Sequence, residues 1–427
     1  VWFVWLPMFA ILLFLTLKAS VETGKSRKRR LLIRGLCLLA DILGIFVLPP
    51  IVGKTDFQLF ADNIKTSSFS AYYADIVSPK YPFVTGDLFL IAAYVSKSAE
   101  AAEIMEAKEL PQGVVFRPDT ITAISKLIVI VGESARRENH SLYGYPLKTT
   151  PFLDSLALQK ERLSYFGSVI SPSSFTREVL RMTFSFATPS NSDLFLEYAN
   201  LVRMAKDAGY KTSWISTQNS LGWYNSVMNL IANVADSRYF HEGDDLELIP
   251  YIKASIEKGQ RQFIVVHING SHWPYYRFDG DDTKALGTSD EVADYNKTIH
   301  HTDRLLREIY RIAGTLDENV LLYYYSDHGE VVGENGAAGH GIPDRYKIQY
   351  HVPLVVMQNH PFICADSIVN KYYDGQTGRL NISSNIYILG ELMGYHVSDS
   401  LIEQSKIDGR YIRQGDASYM LYEKIKD

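Results

Sequence analysis

Three polar clusters, each at the end of an apolar run, carry side chains able to work together chemically. Gly132-Glu133-Ser134-Ala135-Arg136 follows Lys126–Val131, and Asp327-His328-Gly329-Glu330 follows Asn319–Ser326. His267-Ile268-Asn269-Gly270-Ser271-His272 closes the run that begins at Gln262. Carboxylates and imidazoles recurring at such ends suit a hard-to-borderline metal bound through oxygen and nitrogen. The adjacent Asp327 and His328 add a geometric demand. Neighbours on a strand point to opposite faces, so both reach one ion only where the strand has ended, and Gly329 is expected to give the backbone freedom to turn there. A fourth stretch, Ser171-Pro172-Ser173-Ser174-Phe175-Thr176-Arg177-Glu178, runs from hydroxyl-rich loop into a helical pattern. Ser173 or Ser174 is expected to cap this helix and to place Thr176 in its first turn, where backbone N–H groups and the helix dipole favour a phosphate or a developing alkoxide. A hydroxyl polarised there by a metal would be a usable nucleophile. The plainer readings are a loop aspartate beside a surface histidine, and a serine cap with no further role.

The elements that must position these groups alternate in type. Lys126–Val131, Gln262–Ile268, Asn319–Ser326 and Val352–Met357 are continuous apolar runs of strand length, the pattern of strands covered on both faces. Between them Leu194–Asp207 reads as a helix closed by Gly209 and leading into Lys211–Ile215. Glu291–Ala313 reads as a long helix with Leu305, Leu306, Ile309 and Ile312 on its apolar side. The alternation predicts an α/β domain over residues 126–427, with a largely parallel sheet sandwiched by helices. Ligands of such sheets sit beyond the carboxyl ends of the strands, where the polar clusters lie.

The 427 residues carry a net charge of −5, with 46% hydrophobic and 21% charged residues, which excludes wholesale disorder and a broad basic face for nucleic acid. Two cysteines, Cys37 and Cys364, make neither a disulfide scaffold nor a CxxC motif. The averages conceal a biased front end. Val1–Leu17 is uncharged, Lys18–Arg30 is strongly basic, and Leu31–Gly53 is apolar apart from Arg34 and Asp41. Two apolar runs around a basic hairpin fit a signal peptide poorly and predict two transmembrane helices within residues 1–53. The positive-inside rule then places the basic loop in the cytoplasm and everything after Gly53 beyond it, in the periplasm for a bacterial inner membrane. Residues 54–125 are expected to be connecting and interfacial helices, including Ala101–Leu110, stopped by Pro111.

Together these features resemble the membrane-anchored phosphoethanolamine transferases of the alkaline phosphatase/sulfatase superfamily. The resemblance is carried by VIVGESARRENHSLYGYPLKTTPFL (Val129–Leu153), the HxxGSH pattern at His267–His272, YYSDHGE at Tyr324–Glu330, the GEN–x–H stretch at Gly333–His340 and the Pro353 strand, in that order over about 300 residues. It implies zinc held by Glu133, Asp327 and His328, with Thr176 as the catalytic nucleophile at the metal. Thr176 is preferred to Ser173, Ser174 and Thr183 because it lies ten residues after Phe166, the interval expected in the family. His267, His272 and His340 fall on positions resembling an outer ring around substrate phosphate or a second zinc. The implied reaction moves phosphoethanolamine from phosphatidylethanolamine, through a phosphothreonine intermediate, to lipid A, lipopolysaccharide core or a periplasmic glucan, at a multi-pass inner-membrane anchor. Relatives commonly have Cys-Gly-Thr before the nucleophile, several disulfides and more membrane helices, so a longer front end is expected. Arg177 and Glu178 replace small or apolar residues. A phosphoglycerol transferase or phosphohydrolase would use the same residues, a sulfatase would need a CxPxR-type motif that is not present, and a non-catalytic envelope binding protein is the remaining alternative.

Overall fold

The computed structural model describes residues 108–117, 124–218, 226–256, 259–287, 290–415 and 417–427. The chain divides into two units, Val1–Ala102 and Glu103–Asp427, and all described residues lie in the second. The expected membrane helices within residues 1–53, and most of the expected connecting segment, lie outside the described residues. Of the expected helix Ala101–Leu110 only Lys108–Leu110 is described, and it is irregular. Among the described residues no helix is long and apolar enough to cross a membrane.

A seven-stranded sheet organises the second unit. Its strands are β1 (Lys126–Gly132), β2 (Leu163–Tyr165), β3 (Lys211–Ser216), β4 (Ser237–Phe240), β5 (Gln262–His267), β6 (Val320–Ser326) and β7 (Leu354–Gln358), in the spatial order β2-β7-β6-β1-β5-β3-β4. The run from β6 through β4 is parallel throughout, whereas β7 pairs antiparallel with both β6 and β2. The expected α/β class and largely parallel sheet are therefore present. Every residue of β1, β5 and β6 is buried, which is why these strands read as unbroken apolar runs. Ile128, Ile130, Ile264, Val266 and Leu322 contribute the sheet side of a large core cluster, and Leu305, Leu306 and Ile309 the helix side.

Register fixes where the chemistry can go. Val131 pairs with His267 on one side and with Tyr325 on the other, and Gly132 pairs with Ser326. β1 and β6 thus end level, so Glu133 and Asp327 emerge side by side, and β5 ends one position earlier beside them.

The helices used below are α1 (Pro151–Ala157), α2 (Thr176–Thr183), α3 (Leu201–Asp207), α4 (Gly280–Leu286) and α5 (Glu291–Ala313). α5 spans the predicted range, with its N-cap Asp290 accepting from the Ala293 N–H. The single helix expected over Leu194–Asp207 is broken, because Tyr198 is extended and the Asn200 side chain caps a new start by accepting from the Arg203 N–H at 2.9 Å. Asp303 on α5 accepts from the Phe152 and Leu153 N–H groups at 2.8 and 3.1 Å, fastening the first turn of α1 to the long helix.

Candidate metal centre

Glu133 is the first residue past β1, and Asp327 and His328 are the first two past β6, so the strand has ended before the pair as the spacing required. Gly329 acts by a different route from the one expected. Its φ is not left-handed, but a Cβ there would lie 2.3 Å from the Ile348 carbonyl oxygen and 2.9 Å from that of His351. Close backbone approach, not turning freedom, demands the glycine. Ser134 holds a left-handed φ of 57° without being glycine, and its N–H donates to Asp327 Oδ1 at 3.0 Å. That strained residue ties the β1 end to the β6 end.

Thr176 is the first residue of α2, as expected for a first-turn position, but neither Ser173 nor Ser174 caps the helix. Phe175 occupies the N-cap with no side-chain hydrogen bond, and both serines are buried in the preceding loop. The far end of α2 is held by Tyr325 of β6, whose hydroxyl donates to Thr183 Oγ1 at 3.2 Å. Glu178 braces the near end, pairing with Arg177 at 2.8 Å and with Arg413 at 3.1 Å.

The four side chains converge. Thr176 Oγ1 donates to Glu133 Oε2 at 3.0 Å and lies 3.4 Å from His328 Nε2. His328 Nε2 is 3.2 Å from Glu133 Oε1 and 3.4 Å from Asp327 Oδ2. The other ring nitrogen of His328 donates to the Gly329 carbonyl at 2.8 Å, which orients the ring and leaves Nε2 facing the carboxylates. Asp327 Oδ1 accepts from Ser134 and His328 N–H groups, while Asp327 Oδ2 is buried with no hydrogen-bond partner. Burial, then the neighbouring Glu133 charge, pushes the Asp327 carboxyl up to about 8. Burial lowers the His328 pKa, but the Asp327 charge and the Glu133 hydrogen bond outweigh it and raise the group to about 10. Burial also disfavours the Glu133 carboxylate, yet His328, His272 and His340 together hold it well below the usual range. Two buried carboxylates and a buried imidazole, with the half-buried Thr176 hydroxyl beside them and Asp327 Oδ2 accepting no hydrogen bond, make an oxygen-and-nitrogen donor set that fits zinc.

The outer histidines separate. The His340 ring lies 4.3 Å from that of His328, and the His272 ring 5.9 Å from that of His340, so these two line one side of the centre. His267 lies deeper than these two, and its Nε2 is buried with no hydrogen-bond partner. It is the last residue of β5, fully buried, with Nδ1 3.1 Å from Met228 Sδ and its ring packed edge-on to Trp214. Burial lowers its pKa to about 4, the behaviour of a neutral core histidine.

Several supporting residues were not singled out from the sequence. Gln218 Nε2 donates to Glu133 Oε2 and to the Ile268 carbonyl, both at 3.2 Å. It lies two residues past β3, so the strand-end rule that found the other clusters would also have found it. Asp245 accepts from Thr217 Oγ1 and from the Asn269 and Gly270 N–H groups, holding the loop after β5. Gly270 has a φ of +50°, and a Cβ there would lie 2.9 Å from the Glu133 carbonyl oxygen, so this loop packs directly on the backbone of a candidate ligand. Glu330 accepts from His340 Nδ1 at 2.9 Å. It closes the Asp327–Glu330 cluster and the YYSDHGE pattern read from the sequence, where no role was attached to it.

A second cluster has similar residue types. Asp282 at the start of α4 accepts from His300 Nδ1 at 2.6 Å, from His301 Nδ1 at 2.7 Å and from Arg304 at 2.9 Å. His301 Nε2 reaches Asp244 Oδ1 at 3.0 Å, and Arg304 also pairs with Asp279 at 2.6 Å.

Residues 125–363, more than half of the chain, match the family model described as sulfatase. Phosphoethanolamine transferase EptC of Escherichia coli strain K12 is 30% identical over 249 residues, covering 53% of this chain and 43% of that protein. Phosphoethanolamine transferase CptA of Salmonella typhimurium strain LT2 has the same identity and coverage. The chain thus spans less than half the length of these curated relatives. The crystal structure of the C-terminal periplasmic domain of Escherichia coli EptC in complex with Zn superposes with a TM-score of 0.64 at 22% identity, covering 75% of this chain and 98% of that one. The integral membrane protein lipooligosaccharide phosphoethanolamine transferase A from Neisseria meningitidis superposes with a TM-score of 0.53 at 22% identity, covering 90% of this chain and 73% of that one. At that identity the two likenesses are likenesses of fold, and they agree with the sheet described above. The family model rests on the residues that contain the candidate centre, and the chain belongs to the sulfatase family.

Proposed function

We propose that the chain transfers phosphoethanolamine from phosphatidylethanolamine to a glycolipid or glycan of the bacterial envelope. In this reading Glu133, Asp327 and His328 hold zinc and Thr176 is the nucleophile. The observation that carries it is the convergence of Thr176 Oγ1 on Glu133 and His328 beside the unclaimed Asp327 Oδ2. Curated relatives named as phosphoethanolamine transferases support the choice of group, and the zinc complex of the Escherichia coli EptC domain supports the choice of metal.

Zinc bound there supplies Lewis acidity, which eases loss of the hydroxyl proton and offsets charge on phosphate. The chain's own residues do the rest. The hydrogen bond to Glu133 Oε2 fixes the orientation of the Thr176 hydroxyl, and the start of α2 directs backbone N–H groups toward the phosphate. Thr176 Oγ1 forms a bond to phosphorus as the bond from phosphorus to the diacylglycerol oxygen breaks. The hydroxyl proton passes by way of His272 or His340 to the leaving oxygen, and diacylglycerol departs. A hydroxyl or phosphate oxygen of the acceptor then bonds to phosphorus, the bond to Oγ1 breaks, and Thr176 regains a proton. Anchoring at the inner membrane through residues 1–53, with the second unit in the periplasm, would keep the site beside a donor that stays in the bilayer.

Mass spectrometry of envelope glycolipids and glycans from cells making the wild-type chain or Thr176→Ala tests this. A species carrying the phosphoethanolamine increment is expected with wild type alone. Identical spectra would overturn the reading, and a phosphoglycerol increment would replace the group moved.

A further inference from the structure

We propose that Tyr275 and Glu330 are positioning residues that fix the His340 imidazole at the transfer site, an inference that rests on the reading of Thr176 and His340 as parts of one site. Glu330 is completely buried, yet both oxygens of its carboxylate have a donor. Oε2 accepts from His340 Nδ1 at 2.9 Å, and Oε1 accepts from the Tyr275 hydroxyl at 3.1 Å. Its backbone is held as well, since the Glu330 carbonyl accepts from Arg136 at 3.2 Å and Arg136 also pairs with Glu334. The Tyr275 ring is buried against Tyr295 at 5.1 Å between centroids, and the Tyr295 hydroxyl donates to the Ser134 carbonyl beside the metal centre.

This chain has a directional consequence. A carboxylate can only accept from Nδ1, so the Nδ1 nitrogen of His340 is the protonated one and Nε2 is the nitrogen left for substrate. His340 itself is partly exposed, and although its ring packs beside those of His328, His272 and Phe175, the bond to Glu330 fixes which ring nitrogen faces the carboxylate. Tyr275 stops the carboxylate from rotating away, because removing its hydroxyl leaves a buried oxygen unpaired. The phenol stays a donor, since burial and then the Glu330 charge push its ionisation far up. A rival reading makes Glu330 a ligand of an ion shared with His328 and His340, whose donor atoms all lie within 4.8 Å of one another. The occupied oxygens oppose it, as does His328 Nε2, which already faces Glu133 and Asp327.

The test is a double-mutant cycle on the full chain in detergent micelles with phosphatidylethanolamine, reading diacylglycerol release. Tyr275→Phe is expected to lower kcat about tenfold and Glu330→Ala about a hundredfold, with Glu330→Gln between them and zinc content unchanged in all three. In a His340→Ala background Tyr275→Phe should have no further effect. The same factor with His340 present or absent would overturn the inference, as would no effect of Tyr275→Phe in the wild type. Nitrogen-15 shifts of labelled histidine give a readout independent of turnover. His340 should show one Nδ1–H tautomer in the wild type and a mixture in Tyr275→Phe, and an unchanged tautomer would refute the role. A wild-type chain that releases no diacylglycerol counts instead against the transferase reading, and the nitrogen shifts still decide this one.

Discussion

Among the described residues three groups of aspartate, glutamate and histidine have donor atoms close enough for a metal, and the two around Asp282 and Asp327 differ in how their charge is balanced. Around Asp282 the balance is internal: His301 bridges two carboxylates, and Arg304 and His300 complete the set. Around Asp327 the only cation within ion-pair distance among the described residues is His328, Asp327 Oδ2 accepts no hydrogen bond, and the histidine is turned by a backbone carbonyl so that its far nitrogen faces the acids. Composition and spacing alone do not separate the two. The fate of the carboxylate oxygens does: Asp282 accepts from two imidazoles and a guanidinium, whereas Asp327 Oδ2 accepts no hydrogen bond.

Four experiments would break or sharpen this contrast. The largest effect is expected from Glu133→Ala combined with Asp327→Ala, which should abolish bound zinc in elemental analysis and lower transfer at least about a thousandfold. Zinc retained by that variant would place the metal elsewhere, and the Asp282 cluster is the first place to look. Asp282→Ala should leave zinc content intact but cost about 3–5 kcal/mol in denaturant unfolding, because it strands Arg304 and two histidines without their shared carboxylate. The third experiment uses pH. Burial opposes the charged form of His301, but Asp244 and Asp282 raise its pKa from 6.5 to about 9. Its contribution, on the order of 3 kcal/mol, is complete below the unfolded value and is lost as pH rises through the folded one. The wild type should therefore lose more stability between pH 6.5 and 9 than His301→Gln, with His300 and Arg304 unchanged in both. The smallest effect is expected from Gln218→Ala, which removes a hydrogen bond from Glu133 and should weaken zinc affinity about tenfold, whereas Asp279→Ala should leave it unchanged.

Legibility in the sequence followed burial. β1, β5 and β6 were readable because both faces are covered, and α5 because its cap and apolar stripe agree. The direction of β7 was not readable, since an unbroken apolar run carries no mark of orientation. Helix breaks and caps were less legible, as at Asn200 and Phe175, where local hydrogen bonds and packing override propensity. Within the candidate site, Glu133, Thr176, Asp327 and His328 were accessible through strand ends and the family pattern. For His267 the sequence did not show the burial, since a strand-end histidine and a core histidine look alike until Met228 and Trp214 are seen against the ring. Glu330 stood in a cluster read from the sequence without a role, while Tyr275 and Asp245 act on groups 55 and 24–28 residues away, and no spacing rule announces such contacts.

The level ending of β1 and β6 has one more consequence. The donors at Glu133 and Asp327 are 194 positions apart along the chain and adjacent only because those strands pair in one register. A bound ion would therefore act as a rivet across the midline of the sheet. A slip of β6 by a single residue would remove the site while leaving much of the apolar core in place.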